Sequence, residues 1–231
     1  MKKPLIDTIK PLTLIGGGEC SADDVALARS MAPTCVAADG GADLALQAGV
    51  DLVAVIGDMD SISPEARAQI PSDRLHRIAE QDSTDFDKAL RNVSAPLVIA
   101  IGFTGGQADH ALAALHTLVV RCHRQVILLG AQDILFLCPP RLSLMLQEGT
   151  RVSLFPLGPV RGTSTGLKWP IDGIDFAPGQ RSGTSNCALG DVVLTVEKPH
   201  MLCILPRGLI QQVASALQAL EASGQWPARA E

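Results

Sequence analysis

The chain has 231 residues, 47% of them apolar and 19% charged, enough to bury about 70–75% of its extended surface without disulfide or metal staples. Nineteen basic against 24 acidic side chains give a net charge of −5, which argues against a nucleic-acid partner, and two Trp, five Phe and no Tyr leave little to stack on bases. No apolar run approaches the roughly eighteen residues of a membrane span, and the opening MKKPLIDTIK lacks the apolar stretch of a secretory leader, so no membrane partner is expected and the expected compartment is the cytoplasm.

In chain order, short apolar runs alternate with helical patterns over the first 140 residues. Leu12–Ile15 leads into Gly16-Gly-Gly18, and a helix is predicted over Ala22–Met31. Cys35–Ala38 leads into Asp39-Gly-Gly41 and a helix over Ala42–Ala48. Leu52–Ile56 leads into Gly57-Asp-Met-Asp60. A helix over Asp85–Arg91 precedes the run Leu97–Ile101, which enters Gly102-Phe-Thr-Gly-Gly106 and a helix over Ala108–Arg121. Val126–Leu129 ends at Gly130. Continuous apolar strands each followed by a glycine loop and a helix are the grammar of a doubly wound, mostly parallel α/β sheet covered on both faces. Beyond Pro140 the helical period disappears. Leu142–Leu146, Arg151–Phe155, Val192–Val196 and Met201–Leu205 read as strands of a smaller antiparallel β domain, and Leu209–Ala222 as a final amphipathic helix. The expected division is 1–140 and 141–231.

Six cysteines are scattered without a CxxC pair or zinc spacing, the pattern of buried, reduced thiols. Acidic residues are the better candidates for chemistry. In open parallel sheets, ligands bind beyond the carboxyl ends of the strands. Asp39 follows one strand, Asp58 and Asp60 another and Asp109 a third, while Asp82 and Asp85 open a helix. If the strand extends through Asp58 and Asp60, both side chains point the same way. Like charges held close call for a cation, and Mg²⁺ suits carboxylate oxygens and phosphates. Gly17, Gly40, Gly41, Gly105 and Gly106 offer backbone N–H groups for phosphate oxygens. Plainer readings exist for each piece alone: glycine turns after strands are common, and Asp82-Ser-Thr-Asp85 suits a helix cap.

Taken together, Asp39-Gly-Gly-Ala-Asp43, Gly57-Asp-Met-Asp60-Ser61, Asp82-Ser-Thr-Asp85-Phe86 and Gly102-Phe-Thr-Gly-Gly-Gln-Ala-Asp109-His110 resemble, in order and rough spacing, the motifs of thiamine pyrophosphokinases. Gly166-Leu-Lys-Trp169-Pro and Gly183-Thr-Ser185-Asn186 resemble that family's β-domain motifs. The resemblance spans residues 12–206. It implies an α/β nucleotide-binding domain joined to a β-sandwich domain, a homodimer with active sites at the subunit interface, and pyrophosphoryl transfer from ATP to thiamine. It implies Asp39, Asp58, Asp60, Asp85 and Asp109 as the Mg²⁺ and triphosphate site, with Asp58, Asp60, Asp85 and Asp109 catalytic. Thr84, Gln107 and His110 join Asp39 and the glycines as candidate ATP contacts. Trp169, Ser185 and Asn186 are the implied thiamine contacts, although a Trp in a β domain is also a common core residue. The family's arginine is replaced here by Gln107, and Lys88 or Arg91 on the neighbouring helix are the candidates to compensate. Competing readings are a pyrophosphokinase for another primary alcohol such as a pterin, and a non-catalytic nucleotide sensor. A nucleotide-dependent dehydrogenase fits less well, because Gly16-Gly-Gly18-Glu-Cys-Ser does not complete GxGxxG.

Overall fold

The computed structural model describes residues 3–228; Met1 and Lys2 of the lysine-bearing N-terminal segment and the last three residues of the C-terminal region lie outside the described residues. The chain divides into two compact units, one running to Thr117 with Val126–Gly130 added, the other made of Leu118–Gln125 and the chain from Ala131 onward.

Across the first 130 residues the elements are β1 (Ile6–Asp7), β2 (Leu12–Ile15), α1 (Ala22–Met31), β3 (Thr34–Ala38), α2 (Gly41–Gln47), β4 (Ala54–Gly57), α3 (Pro64–Gln69), β5 (Leu75–Arg77), α4 (Asp85–Asn92), β6 (Val93–Ser94), β7 (Val98–Ile101), α5 (Ala108–Val120) and β8 (Val126–Leu129). In the first unit the strands lie in the order β8-β7-β2-β3-β4-β5, and every pairing is parallel. All residues of β2, β4, β7 and β8 are buried, as a sheet covered on both faces requires. The order reverses between β2 and β7, so the loops after these two strands flank the topological switch point.

The local signals are chemical. Ser21 and Asp24 form a capping box at the start of α1, and the Thr84 hydroxyl accepts from the Asp87 N–H at the start of α4. Four short elements of this unit have no counterpart in the sequence reading. Helix α3 is six residues long with Ala66 as its buried residue, begun by the Ser63 cap and Pro64; it is too short to show a period. Strand β5, Leu-His-Arg at the end of this unit's sheet, has no apolar run. Strands β1 and β6 pair over two residues each.

The second unit holds β9 (Asp133–Leu137), β10 (Arg141–Leu144), β11 (Arg151–Pro156), β12 (Gly162–Leu167), β13 (Gly183–Val196), β14 (Met201–Pro206) and α6 (Ile210–Gln218). The pairings between these strands, β10–β13, β11–β13, β12–β13, β11–β14 and β9–β14, are all antiparallel. Strand β13 is the longest. Its first residues pair with β11, and its last lie between β10 and β12. Only that last part, Val192–Val196, carries the apolar alternation visible in the sequence. Strand β12, Gly-Thr-Ser-Thr-Gly-Leu, is nearly devoid of apolar residues, and its glycines permit close contact: a Cβ at Gly162 would fall 2.4 Å from the Thr195 carbonyl oxygen, and one at Gly166 1.9 Å from that of Asp191. Helix α6 is shorter than the predicted Leu209–Ala222: Arg207–Leu209 form a 3₁₀ turn ahead of it, the α-helix ends at Gln218 with Ala219 as its C-cap, and a separate 3₁₀ turn follows at Ala222–Gly224. All six cysteines are free thiols, with Cys35, Cys122, Cys138 and Cys203 buried. Among the described residues, no helix is long and apolar enough to cross a membrane.

Candidate active site

The loops after β2 and β7 interlock at the switch point. The Gly18 N–H donates to the Gly102 carbonyl at 3.0 Å. A Cβ at Gly16 or Gly18 would meet the Gly102 oxygen at 2.7 Å, and one at Gly102 would meet the Gly16 oxygen at 2.5 Å. These glycines therefore serve close packing of two chain segments. Gly41 does the same against β2, with its Cβ position 2.1 Å from the Ile15 oxygen. Around this interlock opens a cleft of about 930 Å³, lined by Gly17, Gly40, Gly105 and Gly106 but not by Gly41.

Three carboxylates meet in the cleft. Asp39, Asp58 and Asp60 each place an oxygen within 4.8 Å of the other two. The route differs from the one the spacing suggests. Strand β4 stops at Gly57, and Met59 turns the chain through a left-handed conformation at φ 68°, so a turn rather than a continuing strand brings Asp58 and Asp60 together. Asp39 also has positive φ, 40°, in its turn after β3. Such conformations are strained for residues with a Cβ and tend to persist at functional sites. Gly57 completes the arrangement: a Cβ there would lie 2.7 Å from the Asp39 Cβ and 3.1 Å from the Asp85 Oδ1.

Asp39 is buried, and its two oxygens accept from the backbone N–H groups of Ser61 and Ile62 at 3.3 and 3.2 Å. Burial raises its carboxyl to about 6, helped by a hydrogen bond to Asp58 and the charges of Asp85 and Asp58, against the Ser61 N–H that lowers it. At Asp58 burial also pushes upward, but hydrogen bonds from Gln81, Lys88 and Asp39 and the Lys88 charge outweigh it and hold the carboxyl at about 2. Two neighbouring acids are thus driven apart, one toward the proton and one away from it.

Lys88 is the source of much of this. Its ammonium lies 3.2 Å from Asp58 Oδ2 and 3.1 Å from Asp85 Oδ1. Burial acts to lower its pKa, yet hydrogen bonds and charge from Asp85 and Asp58 win and raise it. The cleft is lined by Glu19, Asp39, Asp43, Asp58, Asp60 and Asp85, against which Lys88 is the sole lysine or arginine among the described residues that line it. Thr84, Gln107 and His110 line it too, whereas Asp109 does not; the Asp109 carboxylate accepts from the His110 N–H at 3.0 Å. Of the two candidates to replace the missing arginine, Lys88 is in the cleft. Arg91 is not, being held by Glu80 at 2.5 Å and Asp87 at 3.1 Å. Phe86 and Phe103, with ring centroids 4.3 Å apart, supply apolar wall. Gln81, which the motifs bracket but do not single out, donates to Asp58 Oδ2 at 2.9 Å; a polar side chain one residue before a helix-opening Asp motif is a weak sequence signal.

Trp169, Ser185 and Asn186 belong to the second unit. Trp169 is 55% exposed, so it is not a core residue. The Lys168 ammonium sits 4.9 Å from its ring centroid, so this ring already attracts a cation. Asn186 is buried, and its carboxamide is taken up locally: Oδ1 accepts from the Trp169 and Cys187 N–H groups at 3.1 and 2.8 Å, and Nδ2 donates to the Trp169 carbonyl at 2.6 Å. Ser185, at φ 60°, donates its N–H to Ser153 Oγ at 2.9 Å, where β13 slips register against β11. Its own side chain is exposed.

An α/β unit with carboxylates gathered in the cleft beside its switch point, followed by an antiparallel unit with an exposed tryptophan, has clear relatives. The family described as "Thiamin pyrophosphokinase, catalytic domain" matches residues 26–129, and "Thiamin pyrophosphokinase, vitamin B1 binding domain" matches residues 141–201. Thiamine pyrophosphokinase 3 of Oryza sativa subsp. japonica is 28% identical over 149 residues, a match covering 56% of either chain. Thiamine pyrophosphokinase of Bacillus subtilis (strain 168) is 31% identical over 164 residues, 65% of this chain and 76% of that one. The solved thiamin pyrophosphokinase from Candida albicans shares the fold with a TM-score of 0.71, at 17% identity over 89% of this chain and 95% of its own. The chain spans little more than half the length of the rice relative. It belongs to the thiamine pyrophosphokinase family.

Proposed function

We propose that the chain transfers the pyrophosphoryl group of ATP to the hydroxyl of thiamine, giving thiamine diphosphate and AMP. The observation that carries this reading is the convergence of Asp39, Asp58 and Asp60 within 4.8 Å in a cleft at the switch point, in a chain of this family. The donor set fits Mg²⁺: it is all oxygen, and the buried Asp39 carboxyl, raised to about 6 by burial and further by neighbouring Asp58 and Asp85, is one whose ionised form a divalent cation would favour. Asp39, Asp58 and Asp60 would hold the ion, with Asp85 and Asp109 nearby in sequence motifs of the same kind. Bound there, it would neutralise charge on the phosphate oxygens during transfer.

The chain's own groups do the rest. Lys88 keeps Asp58 ionised and holds both Asp58 and Asp85 in place. Backbone amides at Gly17, Gly40, Gly105 and Gly106, with Thr84, Gln107 and His110, face the polyphosphate. The thiamine hydroxyl oxygen bonds to the β-phosphorus as the bond from that phosphorus to the oxygen bridging it to the α-phosphate breaks; AMP leaves and the hydroxyl proton is lost. Positioning and charge neutralisation carry such a transfer. Trp169 offers its ring face to the cationic heterocycle, Ser185 an exposed polar contact beside it, and Asn186 fixes the tryptophan backbone. The antiparallel unit closes as a β-sandwich in this reading, supported by β13 pairing with β11 on one stretch and with β10 and β12 on another. Two copies form a dimer with sites at their interface, and free thiols suit the cytoplasm.

The test is AMP formation by the purified chain with ATP, Mg²⁺ and thiamine, omitting thiamine as the control. Thiamine-dependent AMP with a matching thiamine diphosphate product is expected. Asp58→Asn and Asp60→Asn should each lower turnover by about a hundredfold or more with the fold intact. Near-normal turnover in both overturns the metal assignment, and AMP released only with another alcohol overturns the substrate.

A further inference from the structure

The segment Glu80–Thr84 has no regular secondary structure, yet it supplies Gln81, Ser83 and Thr84 to the cleft. Its shape is organised around one side chain that does not line the cleft. Glu80 Oε2 accepts from the Asp82 and Ser83 backbone N–H groups at 2.9 and 3.2 Å. Glu80 Oε1 accepts from Ser83 Oγ at 2.6 Å and from Arg91 Nη2 at 2.5 Å. Arg91 also donates to Ser83 Oγ at 2.9 Å and pairs through Nε with Asp87 of α4 at 3.1 Å. One carboxylate thus gathers the next three residues into a turn and fastens it to α4 through Arg91. The first residue of that turn, Gln81, is the one that reaches Asp58 at 2.9 Å.

The alternative is an ordinary surface ion pair. Glu80 and Arg91 are each a third exposed, and such pairs contribute little to stability. An ordinary pair, however, does not need four donors on one carboxylate, two of them backbone amides of a loop entering a cleft. Hydrogen bonds from Ser83, Arg91 and Asp82 hold the Glu80 carboxyl at about 2 despite some burial, consistent with a carboxylate serving as a fixed acceptor.

We propose that Glu80, latched by Arg91, is a positioning residue: it holds the 80–84 loop in the form in which Gln81 orients the Asp58 carboxylate. The inference rests on the cleft being the nucleotide site. It assigns Glu80 to ground-state organisation of that site, with its effect falling on KM for Mg²⁺·ATP rather than on thermal stability.

The experiment compares the full-length chain with Glu80→Ala and Glu80→Gln, measuring amide hydrogen exchange, KM and kcat for ATP in the AMP assay, and thermal unfolding. In Glu80→Ala, exchange at the Asp82 and Ser83 amides should rise about tenfold or more, and KM for ATP should rise about tenfold. The melting temperature should stay within about 2 °C. Glu80→Gln keeps an oxygen acceptor but loses the ion pair, and should fall between wild type and alanine on both readouts. Unchanged amide exchange in Glu80→Ala overturns the proposal, as does faster exchange with KM unchanged. A wild-type chain that releases no AMP overturns the functional reading instead; the exchange comparison then decides the loop's organisation separately, an increase supporting it and no change overturning it.

Discussion

The Lys88 ammonium stands 3.2 Å from the Asp58 carboxylate, and only 2% and 9% of the two side chains are exposed. Exposed pairs of this kind contribute almost nothing, but removing one member of a buried pair strands the other charge and costs about 3–5 kcal/mol. Lys88→Met is therefore expected to destabilise the chain by about 3 kcal/mol at neutral pH. The deficit should shrink as pH falls through the carboxylate range, because Asp58, no longer held ionised by Lys88, takes up a proton. Urea unfolding of wild type and variant at several pH values measures it. A constant deficit would mean that packing, not charge, is what Lys88 supplies.

Asp39 makes the opposite contribution. Its carboxyl stands at about 6 in the folded chain, against about 3.9 for a free one. Ionisation therefore opposes folding: the stabilising effect is fully present below the ordinary value and is lost as pH rises from about 4 to about 6, amounting to at most about 3 kcal/mol. Asp58, held at about 2, has the reverse sign, with stability present above the ordinary carboxyl value and lost as pH falls toward 2. Unfolding of the wild type minus that of Asp39→Asn, measured in chelator between pH 4 and 7.5, should decline across this window. Added Mg²⁺ should protect the wild type most above pH 6.

How much of this was legible in the sequence depended on where each signal resides. Apolar runs flanked by glycine mark β2, β3, β4, β7 and β8 because two-sided burial selects apolar residues there, the buried Thr13 being accommodated by its hydrogen bond to the Ala32 carbonyl. The acidic motifs mark Asp39, Asp58 and Asp60 because carboxylates at strand ends have few packing uses. What could not be read is what long-range pairing creates. Strand β12 is polar and gains its identity from β13, and the approach of Asp58 to Asp60 depends on a left-handed Met59. Gln81 and Lys88 matter through contacts spanning 23 and 30 residues.

Trp169 and Asn186 should separate in the laboratory. Trp169→Ala removes an exposed side chain, so stability should change by no more than about 0.5 kcal/mol, while KM for thiamine rises about tenfold. Asn186→Ala strands the Trp169 and Cys187 backbone groups and should cost about 1–3 kcal/mol of stability as well as thiamine affinity. Thermal unfolding beside thiamine saturation curves distinguishes the two. Equal stability losses would put Trp169 in a structural role.

Gln107 lines a cleft whose described lysine and arginine complement is Lys88 alone, and Lys88 is already engaged by two carboxylates. Gln107→Arg is expected to tighten ATP binding about fivefold to tenfold, with the gain fading at high salt. Nucleotide titrations at low and high ionic strength read this directly; no change at low salt would place position 107 away from the phosphates.

The interlock of Gly16, Gly18 and Gly102 bears on how this protein can diverge. Each loop occupies the space where the other's Cβ would stand, so neither can acquire a side chain unless the other is rebuilt. Natural variants should therefore keep or lose these glycines as a set. Tolerance for new side chains should instead concentrate at positions such as Gly17, whose Cβ site has no neighbour nearer than 3.4 Å. The glycine punctuation of these motifs would then record the crossing of two chain segments as much as the ligand they surround.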